Sequence, residues 1–226
     1  MKKENLGLRI LLLVVGIYIV GLGVALSIRS DLGTSPISSM PYVLNLMMPN
    51  LSVGTFVIII NSLMVMTQVV ILKRKTGYEQ LVQLPLTLLF GLFIDVNLHL
   101  TSSLIFDNYL WQLLTVILSC FVMAFGIFLE LKADVGLLPA EGLSLVISET
   151  YNKNFGKTKV SIDSVFVIVS IILGLSFIGR LAGVREGTIL AALFVGTIAN
   201  YFHKNITFVD KLLPVKKAVE YIAQPY

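Results

Sequence analysis

Apolar residues run along this chain in long blocks broken by short polar stretches. Spanning about 30 Å of hydrocarbon takes roughly 20 helical residues. Six blocks reach or approach that length: Leu8–Ile28, Ser52–Leu72, Gln80–Leu100, Tyr109–Leu131, Val160–Ile178 and the shorter Thr188–His203. Two further pieces do not fit this scheme. The stretch Leu32–Leu72 carries no charge and is too long for one helix, and prolines at 36, 41 and 49 punctuate it. Pro36–Met48 would be a helix of only about 20 Å at ~1.5 Å per residue, too short to cross. Pro139–Tyr151 is a second such piece, and each opens with a proline, which suits the first turn of a helix.

Composition narrows the class. Hydrophobic residues make up 56% of the 226 and charged residues 13%, against about 25% charged in a soluble domain. Mean hydropathy is +0.90. A soluble fold and disorder are excluded on that arithmetic, and so is nucleic-acid binding, since there is no basic stripe. The expectation is an all-α polytopic membrane protein whose first partner is the lipid bilayer. The N-terminal block is longer than a signal-peptide core of roughly 7–15 residues, so it is read as a retained helix.

The net charge of +4 reports orientation. If the short pieces do not cross, 14 of the 17 Lys and Arg fall on one side. Only Arg29, Arg180 and Arg185 fall on the other. The lysine-rich side is cytoplasmic by the positive-inside rule. This predicts six spanning helices, two short non-crossing helices, and both termini in the cytoplasm of a cell-membrane protein.

The chain also repeats itself. Gly23-VALSIRSDLGTS-Pro36 aligns without gaps on Gly126-IFLELKADVGLL-Pro139, an offset of 103 with five of 14 positions identical. Gly91-Leu-Phe-Ile-Asp95 matches Gly196-Thr-Ile-Ala-Asn200 at an offset of 105. The first unit occupies residues 6–104 and the second 109–205, followed by a cytoplasmic tail, 206–226. Each unit holds three crossings, an odd number, so the second enters from the opposite side: an inverted-topology repeat.

An N-terminal hydrophobic helix, an (R/K)-x-D-x-G-x-x-P loop in each half, six spans and about this length resemble the YczE/YyaS/YitT family of bacterial integral membrane proteins. That resemblance implies membrane location and a transport role without a substrate.

The candidate site follows from the two loops. Arg29, Asp31, Gly33, Ser35 and Ser38 belong to the first; Lys132, Asp134, Gly136 and Glu141 belong to the second. If each loop dips inward and its short helix leads back out, two helix N-termini point at one central place, where their dipoles suit a ligand. Irregular backbone at that depth requires a cavity. The other reading is a tight interfacial turn with the short helix flat on the membrane. Glu141, where the first half has Ser38, could take a proton or cation, and Glu130 stands in place of Ser27.

Asp95 lies inside its helix with His99 at i+4, a candidate proton relay or a piece of interhelical hydrogen-bonding. Asp163 reads as a charge at a helix start. The lone Cys120 and two histidines make no metal constellation, and no cofactor motif is present. An enzyme is not expected, because Ser/His pairing, H-E-x-x-H and a P-loop are missing. The expected function is a small secondary transporter or facilitator of a small polar or anionic solute. The alternatives are a channel of the same symmetry and a non-transporting regulator or scaffold, and a homo-oligomer is open to all of them.

Overall fold

The computed structural model describes residues 6–73 and 76–206. The expected cytoplasmic tail, from 207 on, lies outside the described residues. So do Lys2, Lys3, Arg74 and Lys75, which belong to the charge count.

The described residues form α1 (Leu6–Arg29), α2 (Pro36–Met47), α3 (Val53–Leu72), α4 (Tyr78–Leu100), α5 (Tyr109–Ala133), α6 (Pro139–Thr150), α7 (Phe155–Leu173) and α8 (Glu186–Asn205). A π turn, Gly174–Ile178, continues α7. Five helices are long and apolar enough to cross a membrane: α1, α3, α4, α5 and α7 with its π turn. The protein is an all-helical membrane protein. α8 has the length but carries Glu186, Asn200, His203 and Lys204, and it is not among the five.

The boundaries have local causes. Pro36 and Pro139 open the short helices, where a missing N–H costs nothing. The Ser52 side chain caps α3 by accepting from Thr55 N–H, and Asn154 caps α7 by accepting from Lys157 N–H. That cap starts α7 five residues before the apolar block at Val160. Asp163 therefore sits in the third turn of its helix, not at its start.

α1 and α5 pack antiparallel through the centre. A Cβ on Gly16 would lie 2.9 Å from Gly126 O, and one on Gly23 would lie 3.1 Å from Ser119 O. Small residues let the two backbones approach this closely. Adding 103 to Gly16 and Gly23 gives Ser119 and Gly126, so the two contacts map onto each other. Around this pair the core closes on Ile17, Val24, Leu32, Ile94 and Val116. Large apolar side chains such as Val70, Leu118, Ile172 and Leu193 face outward, which suits hydrocarbon rather than water.

The halves interlock. α2 packs on α7, and α6 packs on α3. Ser39 and Ser170 share a hydrogen bond of 2.8 Å at the first of these contacts. At the second, Gln68 and Gln83 bond reciprocally at 2.8 and 3.1 Å, and Gln68 also donates to Pro139 O. Gly142 leaves the room: a Cβ there would lie 2.5 Å from Gln83 Nε2.

Most packed pairs have a counterpart in the other half. α1 on α4 matches α5 on α8, α2 on α3 matches α6 on α7, and α3 on α6 matches α2 on α7. One pair does not match: α3 packs along α4, whereas α7 and α8 scarcely touch.

Candidate functional site

A cavity of about 410 Å³ occupies the place where α7 and α8 fail to meet. Phe155, Gly156, Lys159 and Asp163 line it from α7, and Gly196, Asn200 and His203 from α8. Its far wall is built by the two short helices, since Ser35 and Ser38 share it with Leu138 and Glu141. Asn61 reaches in from α3 and Glu130 from α5. The first turns of both short helices thus bound one space, although they are 103 residues apart.

Three of the residues expected at the site come together there. Ser35 donates to Ser38 at 3.0 Å, and Ser38 is buried against the cavity. Glu141 pairs with Lys159 at 3.4 Å, and the same lysine holds Asp163 at 3.0 Å. Lys159 therefore ties α6 to α7 across the cavity edge.

The other loop residues act elsewhere. Arg29 donates to Leu98 O at 2.6 Å, fastening the end of α1 to the end of α4. Asp31 has a 77% exposed side chain, 3.9 Å from Arg185, and its carbonyl accepts from that arginine at 2.8 Å. At the opposite end of the bundle Asp134 lies 4.0 Å from Arg9, which also donates to Ala133 O at 3.1 Å. Lys132 is 2% exposed, with its ammonium 5.8 Å from the centre of the Phe128 ring. Asp31 and Asp134 both adopt left-handed backbone, φ 56° and 49°, so the loops turn alike at their aspartates.

The loops differ at their glycines. Gly33 has φ 99°, and a Cβ on it would lie 2.5 Å from Thr188 Oγ1 and 2.7 Å from Arg185 N. Gly136 has no positive φ, and a Cβ there would meet only Val82 and Leu86 side chains at 3.3 Å. Gly33→Ala is expected to cost about 2 kcal/mol and Gly136→Ala less than about 1 kcal/mol. Thermal unfolding of the two variants in detergent checks this asymmetry.

Asp95 is engaged by the start of α3. Its carboxylate accepts from Ser52 Oγ at 2.6 Å and from Gly54 N–H at 2.8 Å, so it holds the start of α3. His99 is exposed near the end of α4.

The cavity also gathers residues that were not expected as a set: Glu130, Asn61, Lys159, Asp163, Asn200 and His203. They arrive from four helices, which no local motif reveals. A faint signal exists for two of them. Lys159 and Asp163 have the i,i+4 spacing of a helical ion pair. Glu130 stood out only as a carboxylate where the first half has Ser27.

Residues 7–204 match a family of unknown function, DUF6198. The chain belongs to that family. It is also 25% identical over 190 residues to the uncharacterized protein YyaS of Bacillus subtilis (strain 168), covering 83% of this chain and 92% of that protein. This is the YyaS-like kinship that the paired loop motifs imply. No solved structure matches the chain.

Proposed function

We propose that the protein is a small secondary transporter of a small polar solute, built from two inverted repeats. Six helices cross (α1, α3, α4, α5, α7 and α8), and α2 and α6 are re-entrant. The excess of Lys and Arg places both termini in the cytoplasm of a cell membrane. The cavity then reaches the cytoplasmic face through the start of α7 and the end of α8.

One observation carries this reading: the repeated halves pack alike except at one pair. α3 and α4 are closed by Ser52, Gly54, Gly91 and Asp95. α7 and α8 carry the matching set, Asn154, Gly156, Gly196 and Asn200, yet stand apart around the cavity. Two repeats in unlike states are what alternating access requires. Exchange of those states would close the cytoplasmic side and open the other. The lining argues against an anionic solute, because Glu130, Glu141 and Asp163 face it with Lys159 the one lysine.

The test is a cross-link. In a Cys120→Ser background, Gly156→Cys with Asn200→Cys places thiols where Gly54 and Asp95 meet in the other half. Oxidation in membranes is expected to join them, since a disulfide needs Cα atoms within about 7 Å. Failure to link under conditions that oxidise a surface control pair would leave a static cavity. The transporter reading would then give way to a channel or scaffold.

A further inference from the structure

We propose that Glu130 is the residue at which the cavity exchanges a proton for a small organic cation with an apolar body. The inference deepens the transporter reading and rests on it.

Glu130 is 6% exposed and lines the cavity, and its Oε1 has no hydrogen-bond partner among the described residues. The equivalent residue in the first half, Ser27, is satisfied, since its hydroxyl donates to Gly33 O at 2.9 Å. Replacing that serine by a longer, ionisable side chain needs room, and Gly16 provides it. A Cβ on Gly16 would stand 3.0 Å from Glu130 Cγ. The other two cavity carboxylates, Glu141 and Asp163, are engaged by Lys159. Of the three, Glu130 alone has a buried oxygen without a hydrogen-bond partner.

The charged and titratable groups around this end of the cavity come from every element that packs there. They are Arg9 on α1, Lys132 on α5, Glu141 on α6, Lys159 and Asp163 on α7, and His203 on α8. Arg9 is held by Ala133 O and Asp134, and Lys159 by its two carboxylates. From α2 and α3 the cavity receives no charged side chain; their polar side chains there are Ser38 and Asn61.

A buried carboxylate without a counter-charge is costly, and such a group holds a proton instead. A cation entering the cavity supplies the counter-charge and makes the proton unnecessary. The exchange balances: the Glu130 O–H bond breaks, the proton leaves to water at the cavity mouth, and the carboxylate keeps the electron pair and pairs with the cation. One carboxylate cannot hold both, so proton and cation exclude each other.

The walls define the cation. Val20, Val24, Phe90, Met123, Ile127 and Val195 make most of the lining apolar. At about 410 Å³ the cavity falls in the range of small-molecule sites, ~300–1,000 Å³. A hard metal ion wants about six to eight oxygens, and no group of three or more His, Cys, Asp or Glu side chains suited to a metal occurs among the described residues. An ammonium or guanidinium group on an aliphatic or aromatic body suits both the acid and the walls.

The test uses the full chain in nanodiscs with 2-phenylethylammonium as probe, between pH 5 and 8. Titration in weak buffer is expected to release about one proton per probe bound, with apparent affinity rising up to about tenfold per pH unit while Glu130 holds its proton. 2-Phenylethanol should release none. Glu130→Gln should lose the release and bind at least about tenfold more weakly, while Glu141→Gln keeps the release. Glu130→Asp, which retains the carboxyl, should restore release and so separates chemistry from misfolding. Proton release from Glu130→Gln equal to that of the unaltered protein would overturn the proposal, as would binding without release. No probe binding, in protein whose Gly156–Asn200 pair still cross-links, would end this inference and leave the transporter reading standing.

Discussion

Asp95→Ala is expected to destabilise the protein by about 3 kcal/mol, read as a fall in the thermal unfolding midpoint in detergent. The carboxylate accepts from Ser52 Oγ at 2.6 Å and from Gly54 N–H at 2.8 Å. Alanine removes both acceptors at once, and the orphaned donors would be left where water is scarce. Asp95→Asn keeps one acceptor oxygen and should cost only about 1 kcal/mol. His99→Ala should change nothing, because that imidazole is exposed and the carboxylate is engaged elsewhere. A relay would behave otherwise: His99→Ala would then shift the pH dependence of transport without touching stability.

The contrast shows what the sequence could and could not reveal. Helix positions were legible because their causes are local. An unbroken apolar run, a proline at the first turn of α2 or α6, and a polar stretch at residues 73–77 all act within a few residues. The likeness of the two loops was visible because Asp, Gly and Pro recur in register. The function of Asp95 was not, because its partners lie 41 and 43 residues away on another helix. The same holds for the cavity. Asn61, Glu130, Lys159 and Asn200 share no motif, and only the packing of α3, α5, α7 and α8 brings them to one space. The parting of α7 from α8 was illegible for a different reason. Gly156, Gly196 and Asn200 mirror Gly54, Gly91 and Asp95, so the sequence of the second half is compatible with the closed pair as well as the open one.

The largest loss is expected at Gly54. A Cβ there would collide with Gly91 O and lie 2.5 Å from Asp95 Oδ2. One on Gly91 would lie 2.6 Å from Gly54 O and 2.6 Å from Ile58 Cγ1. The obstacle at Gly54 is the backbone of α4, so no rotamer change relieves it, and the helices must separate. Separation also pulls Gly54 N–H off Asp95, so the packing and hydrogen-bond losses arrive together. Gly54→Val should therefore cost about 4 kcal/mol, above the ~1–3 kcal/mol of ordinary overpacking. Gly91→Val should cost about 3 kcal/mol, because part of its clash falls on the movable Ile58 side chain. Both substitutions attack one approach, so the double variant should fall short of the sum by about 1 kcal/mol or more. Gly7→Ala is the control: nothing lies within 4 Å of a Cβ there, and alanine should stabilise α1 by up to about 1 kcal/mol. Thermal unfolding of the four proteins in one detergent reads all of these. Costs at Gly54 and Gly91 no larger than at Gly7 would mean that α3 and α4 do not meet through these glycines. The closed pair against which α7 and α8 are judged open would then be lost as a reference.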